Sequence, residues 1–547
     1  MYHLRRFTIF GVFLSTVVFL LWLLPRVLNP TPPNSEDRLR DKQWVNSSPY
    51  WIDRQACRWL TLCGIHHVRS DPAAHLKPPK DDAGDLEFVE LRRRSFFAQY
   101  GKDEAVPRPA SVDWENIGQR NGRQQAYSDG KKLQRVPDYV LKYAPLIHLH
   151  SKEYFFPSDI ADHVEHMVPY VNGSALNISE SLGLEDLHDL DAHPEPVYLT
   201  SEEDVEDRPP WLHSHVGLPK PFVGDNGDND GSDHPNADGR PSPGPQKDGS
   251  TWWDVDKDHP LRRISEPRRQ VGGRRGRHPL HARRDQKPMV PPVMPMYKPG
   301  SDGYSDAPAV LVLVDKGSGI LDAFWFFFYS YNLGQTVIKI RFGNHVGDWE
   351  HSMVRFENGV PRALFMSEHA GGQAYAWSAL EKFRAKHRRS DGVEEMVERP
   401  VIYSAIGSHA MYAAPGNHPY VLPFGMLKDV TDRGPLWDPA QNTYAYFYDY
   451  EVDRREGEGG GVNHTSLVPA ASNPDAPTSW FHFAGPWGDE LYALSDIRQW
   501  RLFGQYHYIT GPLGPKFKNL DRRNVCQTDR CTILYDIEAG KKASWYK

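Results

Sequence analysis

The stretch Gly343-Asn344-His345-Val346-Gly347-Asp348-Trp349-Glu350-His351-Ser352-Met353-Val354-Arg355-Phe356 runs a dense polar cluster straight into an apolar segment. Two imidazoles and two carboxylates fall within the seven residues His345 to His351. Both groups are good ligands for divalent cations, and such a cluster is easier to hold near an apolar core when a metal offsets its charge. If Trp349 to Phe356 is a strand, period two puts Glu350 on the side of Asp348 and sends Trp349 and His351 to the other face. His345 reaches the Asp348/Glu350 side from the preceding glycine-flanked turn. One reading is a ligand set of His345, Asp348 and Glu350; the other is a hydrogen-bonded polar strand end. Spacing alone leaves both open.

Outward from this block the chain reads as β structure. Ala309–Val314, Ala323–Tyr329, Arg362–Met366, Pro400–Ser404 and Tyr444–Tyr448 are short apolar runs, β-branched or aromatic, separated by loops. They predict an all-β or β-rich chain whose body is a β-sandwich with a few peripheral helices, one of them over Trp377–His387. Leu146, His148 and His150 alternate with Ile147 and Leu149, the pattern of a first strand whose two histidines are ligands or caps of a sheet edge. Histidine also ends the apolar runs at Ser367-Glu368-His369-Ala370-Gly371-Gly372 and Gly407-Ser408-His409-Ala410.

These segments resemble the fungal vacuolar protein sorting-associated protein 62 family. The resemblance is carried by Tyr143-Ala144-Pro145-Leu146, the His345–His351 block, the Ser367–Gly372 block, Arg399-Pro400-Val401-Ile402-Tyr403 with Gly407-Ser408-His409, and Phe483-Ala484-Gly485-Pro486-Trp487-Gly488-Asp489. It covers residues 140–200 and 305–515. The central block is also similar to the heptapeptide Gly-His-Arg-His-Asp-Trp-Glu of the necrosis- and ethylene-inducing peptide-like cytolysins. Aligning Asp348-Trp349-Glu350 with its last three residues puts His345 on its first histidine. That resemblance implies a divalent-metal site of His345, Asp348 and Glu350, completed by His369 in the downstream segment. Asn332 and His409 are further candidates, Asn332 as the nearest match to an upstream acidic ligand. Gly347 stands where the cytolysins carry a second histidine, which removes one side chain from the pocket and counts against cytolytic activity.

The segment Phe7–Leu24 is apolar or small throughout, follows Arg5-Arg6, and spans about 27 Å as a helix, close to a bilayer core. Leu23-Leu24-Pro25-Arg26 offers no small-residue cleavage site, so a signal-anchor is preferred to a cleaved signal peptide. The two arginines favour a cytosolic N-terminus and a type II arrangement with the rest lumenal, in the secretory pathway or at the vacuolar membrane. Four cysteines agree with that compartment, with local pairs Cys57–Cys63 and Cys526–Cys531 preferred to a cross-link between the chain's ends. Sequons at Asn46, Asn172, Asn177 and Asn463 are compatible with glycosylation.

The resulting organisation is a cytosolic tail at 1–6, the transmembrane anchor at 7–24 and a stem with a short helix at 25–66. The first part of a lumenal body follows at 67–201, a disordered insert at 202–300 and the main β-sandwich body at 301–547. The insert is acidic first, from Glu202 to Asp207, then rich in Asp, Gly and Pro, then arginine-rich. Formal net charge is −7, which gives no support for nucleic-acid binding.

There is no Gly-x-Ser-x-Gly elbow, P-loop, dinucleotide fingerprint or His-Glu-x-x-His. Two functions remain. The first, implied by the family resemblance, is a membrane-anchored lumenal protein of the vacuolar protein sorting type. Its metal-supported sandwich binds a lipid headgroup, a glycan or a cargo protein. The second is a metal-dependent hydrolase of the secretory pathway. The ligand types do not distinguish magnesium, calcium, manganese and zinc.

Overall fold

The computed structural model describes residues 2–28, 33–70, 133–176, 182–220 and 303–544, apart from 338, 370, 389–391, 422–426, 460–464 and 529–530. Its body is strand-rich and built on an eight-stranded sheet. In order across the sheet, the strands are Leu467–Pro469, Thr443–Tyr448, Ala309–Gly317, Ile320–Asn332, His345–Glu357, Val360–Glu368, Gly371–Ala376 and Ile533–Leu534. The middle strands form an antiparallel meander because the turns between them are local. Asn358 and Gly359, with φ of 51° and 77°, make a two-residue hairpin loop that joins the paired residues Glu357 and Val360. That backbone twist suits antiparallel strands, and asparagine and glycine tolerate it best.

The run Ala323-Phe324-Trp325-Phe326-Phe327-Phe328-Tyr329 shows no polar alternation because both faces of the sheet are covered. On one face, Leu311, Trp325, Phe327, Tyr329, Val354 and Leu364 pack against a second sheet. That sheet is ordered Lys382–Arg388, Glu394–Ser404, Leu146–His148 and Leu436–Trp437, with Met411–Tyr412 paired to Glu394–Ser404. The Phe327 and Trp437 rings meet across the layer at 5.4 Å. Arg399 is buried there and makes two hydrogen bonds to Asp438, at 2.7 and 2.6 Å. On the other face, Phe326, Phe328 and Trp349 pack under Trp211, Trp480 and Trp487. Each such ring, fully buried, contributes about 1.5–3 kcal/mol relative to exposure.

Three boundaries differ from the sequence expectation. Residues 202–220 belong to the body and not to the insert: Val205, Trp211, Leu212 and Leu218 are buried in it. The acidic cluster from Glu202 masks these apolar residues in a composition reading. The rest of the insert, with its arginine run, lies outside the described residues, as do Asn177 and Asn463. Second, residues 35–66 of the expected stem fold back on the body, with helices Ser35–Ser47 and Trp51–Leu60. Cys63 and Arg501 exchange two backbone hydrogen bonds of 2.9 Å, Arg501 pairs with Asp41, and Trp44 packs with Cys57, Cys63 and Leu494. Third, Trp377–His387 is not a helix. Only Trp377–Ala379 makes a 3-10 turn, and Lys382–Arg388 is drawn into a strand by pairing with Glu394–Ser404.

Disulfides join Cys57 to Cys63 and Cys526 to Cys531. Asn46 and Asn172 are exposed. The Tyr2–Leu28 helix contains a 19-residue stretch, Arg5–Leu23, that is long and apolar enough to cross a membrane and is not buried against the body.

Candidate functional site

The polar cluster is built by an inversion in the His345–Glu357 strand. Gly347 sits at φ +67°, and a Cβ there would meet the Trp487 carbonyl oxygen at 2.1 Å. The left-handed residue breaks the alternation, so Val346 and Trp349 bury on the same face although three positions apart. Phe328 and Tyr331 do the same on the paired strand. His345 is thereby brought to the face of Asp348 and Glu350, the one turned toward the smaller sheet. Glycine rather than the cytolysins' histidine is what this backbone accommodates.

Each of the four presumed ligands is held by one outer partner. His345 donates through Nδ1 to the Gly347 carbonyl at 2.6 Å. Burial lowers its pKa, so the ring is neutral and keeps its lone pair on Nε2. Asp348 accepts from His409 Nδ1 at 2.9 Å. Glu350 accepts from the Ser367 hydroxyl. His369 Nε2 lies 2.7 Å from Asp429, which also accepts from Ser408 at 2.6 Å and Tyr412 at 2.7 Å. Such partners orient metal ligands and raise their basicity.

Burial and the Asp348 charge push the Glu350 carboxyl up to about 8. Burial would lower His369, but the Asp429 carboxylate outweighs it and raises the ring to about 9, while 36% of the side chain stays exposed. Without a cation, Glu350 therefore holds a proton near neutrality and His369 is charged. A divalent ion would displace both protons and offset the Asp348/Glu350 charge.

The donor chemistry fits a divalent cation, but the atoms do not form a closed shell. Among the described residues, the only three His, Cys, Asp or Glu side chains with ligand atoms mutually within 4.8 Å are Asp41, Cys57 and Cys63, whose cysteines are disulfide-bonded. A cation held by the four residues would keep water in its shell, as magnesium commonly does.

His409 plays another part. Its Nδ1 faces Asp348 and its Nε2 donates to the Phe155 carbonyl at 3.1 Å, so both nitrogens are occupied. Burial disfavours the charged ring, yet Glu153 at 3.8 Å together with Asp348 raises it to about 9. His409 is thus a buried imidazolium, stacked on Tyr329 at 3.7 Å, and acts as a counter-ion to the carboxylates rather than as a ligand. Asn332, opposite His345 in the strand pair, donates its side-chain nitrogen to the Gly343 carbonyl at 2.7 Å and could offer a cation only its amide oxygen.

His351 lies on the opposite face, stacked on Phe326 at 5.2 Å and 3.4 Å from the Arg522 guanidinium. His148 is engaged by the Gly434 carbonyl, and His150 by the Lys152 amide and Asp432. Glu153 and Asp429 escape a sequence reading because each is a lone acid far in the chain from the central block. The one signal for Asp429 is its position between Leu427 and Thr431, an acid inside a short β-type run.

The model of the family described as vacuolar protein sorting-associated protein 62 matches residues 315–429, the segment that carries the four presumed ligands, His409 and Asp429. The chain is similar to the putative vacuolar protein sorting-associated protein TDA6 of Saccharomyces cerevisiae, 33% identical over 413 residues, covering 72% of this chain and 68% of that protein. It is also similar to vacuolar protein sorting-associated protein 62 of the same yeast, 33% identical over 422 residues, covering 73% of this chain and 70% of that protein. Among solved structures, one titled "Toxin fold for microbial attack and plant defense" shares 15% identity at a TM-score of 0.15, over 27% of this chain and 58% of that one. A necrosis- and ethylene-inducing protein 2 from the agent of cocoa's witches' broom disease shares 12% at a TM-score of 0.11, over 34% of this chain and 57% of that one. Overlaps this slight carry no argument about the site.

Proposed function

The chain belongs to the vacuolar protein sorting-associated protein 62 family, and from that premise we propose that it is a membrane-anchored lumenal protein of the sorting pathway with a cation-dependent binding cleft. Family membership supports a vacuolar sorting-type role and a vacuolar or secretory location. The Tyr2–Leu28 helix is the anchor, with the disulfide-bonded body on the lumenal side.

What supports the proposal is that the Asp348 charge acts on His345, Glu350 and His369, and that each of the four has an outer partner. A magnesium, calcium, manganese or zinc ion held there would supply positive charge for an anionic group on a lipid headgroup, a glycan or a cargo protein. The chain's own residues hold the cation and keep its ligands oriented, while His409 balances the remaining carboxylate charge.

The test is capture of anionic lipid vesicles, glycans and soluble vacuolar cargo by the full-length protein in detergent, with divalent cation and with EDTA. Capture that requires the cation and fails in Glu350→Gln supports the binding function. Cation-dependent turnover of phosphoesters, esters or glycans, abolished by the same substitution, would replace it with a metal-dependent hydrolase.

A further inference from the structure

The Trp51–Leu60 helix is two-faced. Asp53 and Cys57 are buried against the body, with Asp53 accepting from the Trp44 indole and the Gly64 amide at 3.0 Å each. The disulfide to Cys63 fixes that orientation. The opposite face presents Trp51, Ile52 and Trp59, which are 65%, 68% and 59% exposed, with Arg58 between them. Positions 51, 52, 55, 58 and 59 fall on one side of a helix with 3.6 residues per turn, so Trp51, Ile52 and Trp59 share one face with Gln55 and Arg58.

The occupant of that face is indicated by its neighbour. The Trp51–Leu60 helix touches the Tyr2–Leu28 helix, the one proposed to cross the bilayer. Tryptophan is the side chain that best suits the lipid–water boundary, where its ring is apolar and its N–H stays wet, and arginine can extend its head toward the phosphates. We infer that the Trp51–Leu60 helix lies in the lumenal lipid–water interface, with Trp51, Ile52 and Trp59 inserted among the headgroups. This rests on the anchor reading. It has a geometric consequence for the cleft. Tyr506, which donates to Asp37 of the Ser35–Ser47 helix at 2.8 Å, also accepts from the Gly343 amide at 2.9 Å through its carbonyl. The helices therefore dock at the His345 end of the sheet, the end that carries the presumed cation ligands. Val360 lies at the other end, about 40 Å along the strand.

The test uses the full-length protein in phosphatidylcholine–phosphatidylserine nanodiscs that contain nitroxide-labelled lipid. Because the native cysteines are paired, Phe13→Cys, Ile52→Cys and Val360→Cys each provide one thiol for an environment-sensitive fluorophore. Quenching at positions 13 and 52, with none at 360, is the expected result. Quenching at 13 while 52 behaves like 360 would overturn the interfacial helix and leave the anchor standing. Absence of quenching at both 13 and 52 would overturn both.

Discussion

His409 and Asp348 form a buried ion pair, Nδ1 to carboxylate oxygen at 2.9 Å, that joins the Gly407–Ala410 turn to the strand carrying the candidate ligands. The His409 ring is fully buried. Its removal would leave the Asp348 and Glu153 charges without their partner in a low-dielectric setting. His409→Ala is predicted to destabilise the body by about 3–5 kcal/mol, read as a loss in urea or thermal midpoint. Retention of wild-type stability would mean that the pair contributes nothing net.

The same pair predicts the direction of the pH dependence. His409 is raised to about 9 in the fold from an unfolded value of 6.5, so its contribution is full below pH 6.5 and lost as pH rises through 9. Glu350 is raised to about 8 from 4.5, so its ionisation costs stability over that interval, in the same direction. The cation-free protein should therefore melt at a lower temperature at pH 9 than at pH 6. Differential scanning calorimetry across this range checks it, and His409→Ala should flatten the slope above pH 6.5.

Gly347 predicts a local intolerance. Alanine at this position meets the Trp487 carbonyl and is forced into a left-handed backbone. Gly347→Ala should destabilise by more than about 1 kcal/mol, and Gly347→His, which restores the cytolysins' residue, should be worse. A histidine variant with unchanged melting would show that the strand inversion is not required.

Much of this site is legible in the sequence because three of the presumed ligands share one strand and the fourth ends an apolar run. Period two separates His351 from Glu350 correctly. What period two does not give is the inversion at Gly347, which depends on the approach of the Trp487 backbone from a segment far along the chain. Glu153 and Asp429 are also distant in sequence, and only the tertiary fold brings Glu153, in the loop after Leu146–His148, to His409 and Asp429, in the Leu427–Thr431 strand, to His369. Composition failed at residues 202–220 for a related reason: a few apolar residues, Val205, Trp211 and Leu212, decide the fold of an otherwise acidic segment.

That boundary can be tested by deletion. Lys220 and Gly303 exchange hydrogen bonds with Tyr304 and Lys220 respectively, at 2.8 and 3.0 Å, so the two ends of the intervening segment lie side by side. Replacing residues 222–302 with a short Gly-Ser linker should keep the melting temperature or raise it slightly, since a shorter loop costs less closure entropy. Extending the deletion back to 205 removes Trp211 and Leu212 from the core and should abolish cooperative melting.

The buried Arg399–Asp438 pair behaves as a test of the sandwich itself. Asp438→Ala strands a guanidinium between the sheets and should cost about 3–5 kcal/mol, while the double change Arg399→Met with Asp438→Leu should recover much of the loss. A urea midpoint series on the three variants reads this directly.

The central claim, that His345, Asp348, Glu350 and His369 hold a divalent cation, is tested most directly by thermal unfolding of the full-length protein during titration with magnesium, calcium, manganese or zinc. Binding to the folded state alone stabilises by RT ln(1 + [L]/Kd), about 2.7 kcal/mol at a hundredfold excess over Kd. The account predicts a saturable rise in melting temperature with at least one of these cations, reversed by EDTA, lost in Asp348→Asn and Glu350→Gln, and kept in His351→Phe on the opposite face. No rise with any of the four cations, or a rise that survives Asp348→Asn and Glu350→Gln, would contradict it.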